Sequence, residues 1–268
     1  MKKTFVEFLF LFLLFVFGGC GNFSDTNYKT RAEPAPAEKP AINDTTENVT
    51  ITSEGNVEII GTYFEPKKEP SPAVLLLHQW GSDRHSFDDF AKKLQTAGFG
   101  VLTIDGRGFG DSTKTSEGET VLPERTDEAV KGMLVDIGNA YEFLERKKEI
   151  DSTLIQIGGA SYGSSLAILY AAGNKKVKAV ALVSPGLNYF GNMEIEPAIK
   201  AYGARPILLV AAEDDKDSAA TVKMIVAEFP DKNYIEKIYE NGGHGTALFS
   251  VGLADVLESF FASNIDLK

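Results

Sequence analysis

A serine between two glycines is the first group in this sequence that could do chemistry. Residues 154–165 read LIQIGGASYGSS, in which Ser161 is flanked at two-residue spacing by Gly159 and Gly163. A Gly-x-Ser-x-Gly run at the end of a strand can hold a serine on a sharp turn, where its hydroxyl is presented as a nucleophile. Short motifs also arise by chance, and a serine in this place can simply begin a helix. The rest of the chain has to decide between the two interpretations.

A histidine and a group of acids downstream of Ser161 supply the partners that a nucleophilic serine needs. The chain has three histidines, and only His244, in the stretch ENGGHG, follows Ser161. An acidic group, Glu213-Asp214-Asp215, lies between them. A serine hydroxyl attacks a carbonyl when a histidine takes its proton, and a carboxylate orients that histidine. The order serine, acid, histidine is therefore typical of a hydrolytic triad.

These groups need a scaffold, and the apolar pattern predicts one. Short Val/Ile/Leu runs indicate strands covered on both faces of a parallel sheet, and they lie at 73–78, 100–105, 154–158, 177–184 and 206–213, followed by a less apolar strand at 233–240. Helical segments alternate with them, at 86–98, 125–148, 161–173, 217–229 and 246–263. An N-terminal hairpin around Gly55 precedes them. We predict an α/β fold with a doubly wound, mostly parallel sheet of about eight strands and no large lid domain.

The predicted strand ends bring the candidate groups to one place. In open α/β sheets, active groups collect at the carboxyl ends of the strands. Ser161 follows the strand at 154–158, the acids close the strand at 206–213, and His244 follows the strand at 233–240. Because His244 played no part in singling out Ser161, its position is independent support for a nucleophilic serine.

These motifs together resemble the α/β-hydrolases, and most closely the compact group of dienelactone-hydrolase-like proteins and small esterases. The resemblance covers roughly residues 56–264 and includes LLLHQWG, LTIDGRGFGDS, GGASYGSS, LLVAAEDD and NGGHGTALF. The sequence departs from that group at two positions. Dienelactone hydrolases proper have a cysteine nucleophile where this chain has Ser161, and Gln79 stands where many relatives have glycine.

The resemblance also implies roles for individual residues. The spacing in the family favours Asp215 as the acid of the triad, with Asp214 as the near alternative and Asp217 as a distant one. The oxyanion hole would consist of the backbone N–H groups of Tyr162 and Trp80. The flanking glycines, Gly159 and Gly163, would make room for the turn. No cofactor and no metal are implied.

Other residues that could do chemistry fit structural roles better. His78 is expected to be a hydrogen-bonding residue at a strand end, His85 a surface residue at a helix start, and Arg107 an ion-pairing brace for its loop. The Trp80 side chain could line an acyl pocket or pack under its loop. Large side chains after the strand at 177–184 could roof the pocket or join the core: Tyr189, Phe190 and Met193.

Composition and the N-terminus indicate where the protein works. The chain has 268 residues, 43% of them hydrophobic, and a formal net charge of −11, which argues against a nucleic-acid partner. Two lysines, a ten-residue apolar run at 8–17 and the single cysteine, Cys20, resemble a bacterial lipoprotein signal, although Phe17 replaces the usual leucine. The run is too short to span a bilayer. We expect a signal peptide at 1–19, a lipidated Cys20 with a flexible tether over 20–48, and the hydrolase domain over 49–268.

The function predicted from the sequence is that of a serine hydrolase that cleaves small to medium carboxylic esters through an acyl-enzyme. It would be lipid-anchored in the cell envelope, facing the periplasm or the exterior, or else secreted. Thioesterase or peptidase activity on the same fold, and a non-catalytic binding role, are the alternatives. The sequence leaves the physiological substrate and the oligomeric state open.

Overall fold

The computed structural model describes residues 45–265. The expected signal peptide, Cys20 and the tether up to residue 44 lie outside the described residues. The first strand begins at Thr46, so it includes the last residues of the stretch expected to be a tether.

An eight-stranded, mostly parallel sheet forms the centre of the fold, as predicted. It contains β1 (Thr46–Thr52), β2 (Glu58–Phe64), β3 (Ser71–Leu77), β4 (Gly100–Ile104), β5 (Ile150–Ala160), β6 (Val180–Val183), β9 (Ile207–Ala212) and β10 (Tyr234–Tyr239). A separate two-residue pair, β7 (Asn188–Tyr189) and β8 (Met193–Glu194), forms a small hairpin. The strand order is β1-β2-β4-β3-β5-β6-β9-β10. The pairs β1–β2 and β2–β4 are antiparallel, and the other neighbours are parallel.

Helices cover both faces of this sheet, which explains the continuous apolar runs. All seven residues of β3 are buried. Leu75 and Leu77 belong to the core on one face, and Val74 and Leu76 to the core on the other, because successive side chains of a strand point in opposite directions. The first core also contains residues of α2 (Asp127–Arg146), α3 (Tyr162–Gly173), α4 (Glu196–Tyr202) and α5 (Lys216–Glu228). The second contains residues of α1 (Asp88–Thr96) and α6 (Leu253–Ser263).

The last predicted helix differs from the prediction in its geometry. Residues 246–263 were expected to form one helix, but a 3₁₀ turn over Gly245–Val251 is followed by α6 after a bend of 100°. Gly252 sits at the break with a φ of 98°, a conformation that glycine adopts without a steric penalty. Within residues 45–265, no single helix is long and apolar enough to cross a membrane, and only this bent pair is long and apolar enough when its two parts are taken together.

The carboxyl ends of the parallel strands carry the candidate residues. β3 is the second strand of the parallel part, with β4 on one side and β5 on the other, so the chain changes direction across the sheet at β3. Such a switch point leaves a crevice at the carboxyl ends, where ligands bind in open α/β sheets. The turns after β3, β5, β6, β9 and β10 meet there.

Candidate active site

Ser161 lies on a strained turn between β5 and α3. β5 ends at Ala160 and α3 begins at Tyr162, so one residue makes the turn from strand to helix. Ser161 has φ 53° and ψ −126°, which a side-chain-bearing residue rarely adopts. Its N–H donates to Val183 O at 2.7 Å, which holds the turn against the neighbouring strand. Strain of this kind typically costs about 1–3 kcal/mol and is found most often at functional sites.

The two flanking glycines are required because the turn leaves no space for a side chain on either of them. A Cβ on Gly159 would overlap the backbone carbonyl of Gly163. A Cβ on Gly163 would lie 2.5 Å from the carbonyl oxygens of both Leu77 and His78, at the end of β3. The Gly-x-Ser-x-Gly spacing is therefore the spacing that lets α3 start this close to the sheet.

His244 joins Ser161 to Asp215. The Nε2 atom of His244 lies 2.6 Å from Ser161 Oγ, and its Nδ1 atom lies 2.7 Å from Asp215 Oδ2. With Nδ1–H donating to the carboxylate, Nε2 carries the lone pair that faces the serine hydroxyl. Ser161 is 6% exposed, whereas 43% of the His244 side chain is exposed, so a substrate can approach from the histidine side.

The two neighbouring acids make different contacts. Asp214 accepts hydrogen bonds from the N–H groups of Gly242 and Gly243 at 3.1 Å. These hydrogen bonds hold the pKa of the Asp214 carboxyl below its usual range, and the bond from Gly242 has the largest effect. Asp215 contacts the ring of His244. Asp217, the distant alternative, lies in the first turn of α5.

Two backbone N–H groups near Ser161 are the candidate oxyanion donors. A turn follows β3, closed by the bond from Ser82 N–H to Gln79 O at 3.1 Å, with Gly81 at φ 75°. This bond does not use the N–H of Trp80, which occupies the second position of the turn. The N–H of Tyr162, in the first turn of α3, has no acceptor within the helix. Both groups belong to turns that flank Ser161.

His78 holds the base of the turn over residues 79–82, as expected of a strand-end residue. Because this turn carries the candidate Trp80 donor, it is called the oxyanion turn below. Its ring is buried, with Nδ1 2.8 Å from Gln79 O and Nε2 2.9 Å from the N–H of Gly106. Because the Gly106 N–H can only donate, Nε2 must accept, and Nδ1–H therefore donates to Gln79 O. Burial lowers the pKa of His78 below its ordinary value, which favours this neutral form.

The side chain of Gln79 connects the oxyanion turn to the loop that follows β10 and carries His244, which is called the histidine loop below. Its Oε1 accepts from the N–H of Thr246 at 2.9 Å and lies 3.3 Å from the Thr246 hydroxyl. It also fills the space where a Cβ on Gly245 would stand, and Gly245 has a φ of 61°. The sequence marked Gln79 only as a departure from relatives. This contact joins two loops far apart in the chain, so no local pattern predicts it.

An aromatic cluster lies beside the oxyanion turn. The Trp80 ring makes edge contacts with the rings of Phe109, Tyr162 and Phe190, at 4.8–5.4 Å between centroids. The guanidinium of Arg125 stacks on Phe190 at 4.3 Å and on Trp80 at 4.8 Å. The Trp80 side chain therefore packs within this cluster, next to the site.

The three large side chains after β6 have separate positions. Met193 is fully buried in the core, and Phe190 is 37% exposed at the tip of the hairpin. The hydroxyl of Tyr189 lies 3.2 Å from Ser161 Oγ and 3.0 Å from the carbonyl oxygen of Ser184. Ser184 was not a candidate from the sequence, because a serine after a strand carries no signal that its carbonyl oxygen faces Tyr189.

The remaining polar candidates make structural contacts. Arg107 forms a bidentate ion pair with Asp136, both bonds being 2.7 Å long. His85 lies on the surface, with Nδ1 2.9 Å from the carboxylate of Asp88. Neither is among the residues that contact Ser161 or His244.

The sheet order, the helices on both faces and the serine on its turn after β5 define an α/β-hydrolase fold. Within that class, residues 59–250 match the model of the dienelactone hydrolase family, and the chain belongs to that family.

The known proteins described below are distant from this chain in sequence. The chain is 28% identical over 167 residues to a putative hydrolase of Bacillus subtilis, YtaP, a match that covers 54% of this chain and only 56% of that relative. A dienelactone hydrolase from Anabaena variabilis has 20% identity and a TM-score of 0.61, over 82% of this chain and 98% of its own. Acetyl xylan esterase 1 from Thermoanaerobacterium has 17% identity and a TM-score of 0.64, over 84% and 89%. At these identities the solved structures show the shared fold.

Proposed function

We propose that this protein is a serine hydrolase that cleaves carboxylic esters of small to medium size through an acyl-enzyme on Ser161. The observation that carries the proposal is the chain of short contacts from Asp215 through both ring nitrogens of His244 to Ser161 Oγ. Membership of a family named for a hydrolase supports it, as do structural neighbours described as esterases.

In the first half-reaction, His244 Nε2 takes the proton of Ser161 as Oγ attacks the ester carbonyl. The resulting imidazolium gives that proton to the leaving alcohol, and the carbon–oxygen bond of the ester breaks. The Asp215 carboxylate stabilises the imidazolium by accepting the hydrogen bond from Nδ1–H. In the second half-reaction, His244 activates a water that attacks the acyl carbon, and Ser161 leaves with its proton restored.

The carbonyl oxygen becomes negatively charged in both tetrahedral intermediates. The N–H groups of Tyr162 and Trp80 would donate to it, and the partial positive charge at the N-terminus of α3 adds to their effect. Losing one such donor typically costs about 3–4 kcal/mol of transition-state stabilisation. Because the Trp80 donor lies on the turn braced by His78 and Gln79, those side chains act on the reaction through backbone geometry.

The experiment that tests the proposal is labelling by a fluorophosphonate probe together with hydrolysis of nitrophenyl esters of graded chain length. We expect the wild-type protein to be labelled and to prefer the shorter esters, and Ser161→Ala to show neither labelling nor turnover. Ser165→Ala, one turn along the same helix, is the matched control and should keep both. Equal labelling of wild type and Ser161→Ala would overturn the proposal.

Matched thioester and aminoacyl substrates separate the other reactions that this arrangement of groups can perform. A rate on esters well above the rates on both others supports the ester assignment. A faster reaction on thioesters or on aminoacyl substrates would assign thioesterase or peptidase activity instead. A wild-type protein with no turnover on any of these substrates would favour a binding role.

A further inference from the structure

The hydroxyl of Tyr189 lies within hydrogen-bonding distance of the proposed nucleophile. The β7–β8 hairpin places its ring against Gly186, where a Cβ would come within 2.7–3.0 Å of ring atoms. This close packing fixes the position of the phenol ring, so that its hydroxyl lies near Ser161 after the end of β5. Tyr189 Oη is 3.2 Å from Ser161 Oγ and 3.0 Å from Ser184 O. The hydroxyl of Ser218 is a third hydrogen-bonding partner of the phenol.

Ser184 is the second strained serine at this edge of the sheet. It follows β6 with a φ of 49°, and its N–H donates to Val210 O at 2.7 Å. Its carbonyl oxygen faces Tyr189, and its hydroxyl oxygen accepts from the N–H of Gly245 at 2.9 Å. One residue in a rarely adopted conformation thus holds both the phenol and the loop that carries His244, and such strain persists where surrounding contacts enforce it.

The phenol has a single proton, which limits the hydrogen bonds that it can donate. In the resting state Ser161 donates to His244 Nε2, the nearer acceptor at 2.6 Å. The phenol then has one proton, which it can donate to Ser184 O or to Ser161 Oγ, while the Ser218 hydroxyl can donate to the phenol oxygen. Burial raises the pKa of Tyr189, so the phenol remains protonated at neutral pH and keeps that proton available.

We propose that Tyr189 is a catalytic residue that donates its phenolic hydrogen bond to Ser161 Oγ when negative charge develops on that atom. As His244 takes the serine proton, Oγ becomes a better acceptor than Ser184 O, and the phenol O–H turns toward it. The same bond stabilises Oγ when it leaves the acyl group in the second half-reaction. Tyr189 keeps its proton throughout, so no additional reactant is needed. The inference rests on the proposed function of Ser161.

The first test compares Tyr189→Phe with Tyr202→Phe. Tyr202 is also buried, and its hydroxyl donates to Pro206 O at 3.2 Å, away from Ser161. We expect Tyr189→Phe to lower kcat about 10- to 100-fold with KM changed less than about twofold, the range of a lost transition-state hydrogen bond. Tyr202→Phe should keep the wild-type kcat. Wild-type kcat in Tyr189→Phe would overturn the inference.

A second measurement separates donation to Oγ from support of Ser184. Fluorinated tyrosines at position 189 keep the ring and the hydroxyl but lower the phenol pKa in steps. If the phenol donates to Oγ in the transition state, kcat at a pH below all these pKa values should rise steadily as the phenol becomes more acidic. A structural anchor for Ser184 would show no such trend, and a flat series would overturn the inference.

The same substrates in Ser161→Ala distinguish the two proposals. If Ser161→Ala is inactive while the Tyr189 variants keep the wild-type kcat, the inference about Tyr189 fails and the proposed function stands. If Ser161→Ala retains turnover and labelling, both fail.

Discussion

At the scale of single residues, two adjacent carboxylates in the turn after β9 have different partners. Asp215 reaches the Nδ1 atom of His244, and Asp214 reaches the backbone of the loop that carries the same histidine. One side chain sets the tautomer of the ring, and the other sets where the ring stands. Successive residues in a turn point in different directions, so adjacency in sequence does not make them interchangeable.

We predict that Asp215→Asn lowers kcat about 10³- to 10⁴-fold, because an amide can hold the ring in the wrong tautomer. Asp214→Asn keeps an oxygen acceptor for the Gly242 and Gly243 amides and should lower kcat about tenfold or less. Steady-state kinetics on one nitrophenyl ester measures both. A larger loss in Asp214→Asn than in Asp215→Asn would reverse the two roles.

His78 gives a second prediction, on pH and stability. Its folded pKa is lowered by burial, while the unfolded chain binds a proton near the ordinary value of 6.5. Between those two values the unfolded state holds more protons, so the free energy of unfolding should fall as pH drops below about 6.5. Protonation at Nε2 would also place two N–H groups against each other at Gly106.

Urea unfolding from about pH 7.5 down to pH 5 measures this effect as a falling midpoint. The variant His78→Gln has no titrating ring and should show a flatter dependence, even if it is less stable throughout. An unchanged slope in the variant would show that other groups cause the loss.

At the scale of the elements, the site depends on how closely α3 approaches β3. The first turn of α3 contacts the end of β3 through the backbone, and Gly163 is the point of contact. This approach brings the Ser161 turn next to the oxyanion turn. Three contacts then hold the histidine loop near both of them: the Asp214 carboxylate, the Ser184 hydroxyl and the Gln79 amide.

We predict that Gly163→Ala destabilises the protein by at least about 1–3 kcal/mol, because a Cβ would overlap the carbonyl oxygens of Leu77 and His78 at the end of β3. Gly173→Ala, at the other end of α3, is the matched control. It has nothing within 4 Å of an added Cβ and should be neutral or stabilising by up to about 1 kcal/mol. Chemical denaturation of both variants measures the difference, and equal stabilities would contradict the packing argument.

At the scale of the whole molecule, an acidic domain of the dienelactone hydrolase family follows an N-terminal stretch that resembles a lipoprotein signal. The described residues begin at 45, and the first strand starts one residue later. We propose that Cys20 becomes the lipidated first residue of the mature protein and holds the domain at the cell envelope. Several acyl chains together anchor a protein far more firmly than one, at about 0.8 kcal/mol per buried CH₂.

Expression of the full chain in a bacterial host with an alkyne-labelled fatty acid tests this proposal. We expect label on the wild-type protein, partition into the detergent phase, and the loss of both in Cys20→Ala. Mass spectrometry that finds a free thiol at Cys20 would contradict it, and would leave secretion as the alternative.

The fold was predictable because apolar periodicity is local. Runs such as AVLLLH and PILLVAAE are long enough to indicate doubly buried strands, and the main sheet has the eight strands expected. The prediction erred where a short glycine break changed the direction of the chain, at Gly252, because a helical pattern continues across a bend without interruption.

By itself, the sequence determined Ser161, His244 and the acidic group Glu213-Asp214-Asp215 as candidates, since residue type, chain order and strand ends are all written along the chain. The choice of Asp215 among the acids came from the family resemblance. Only the tertiary structure decided that Tyr189 contacts Ser161, and that Gln79 and Ser184 hold the loop that carries His244. Those contacts join loops that the sheet brings together from distant parts of the chain, and their geometry depends on side-chain directions and on a positive φ at Ser184. A hydrogen bond is effective over a few tenths of an ångström, and no spacing in a sequence specifies distances that finely.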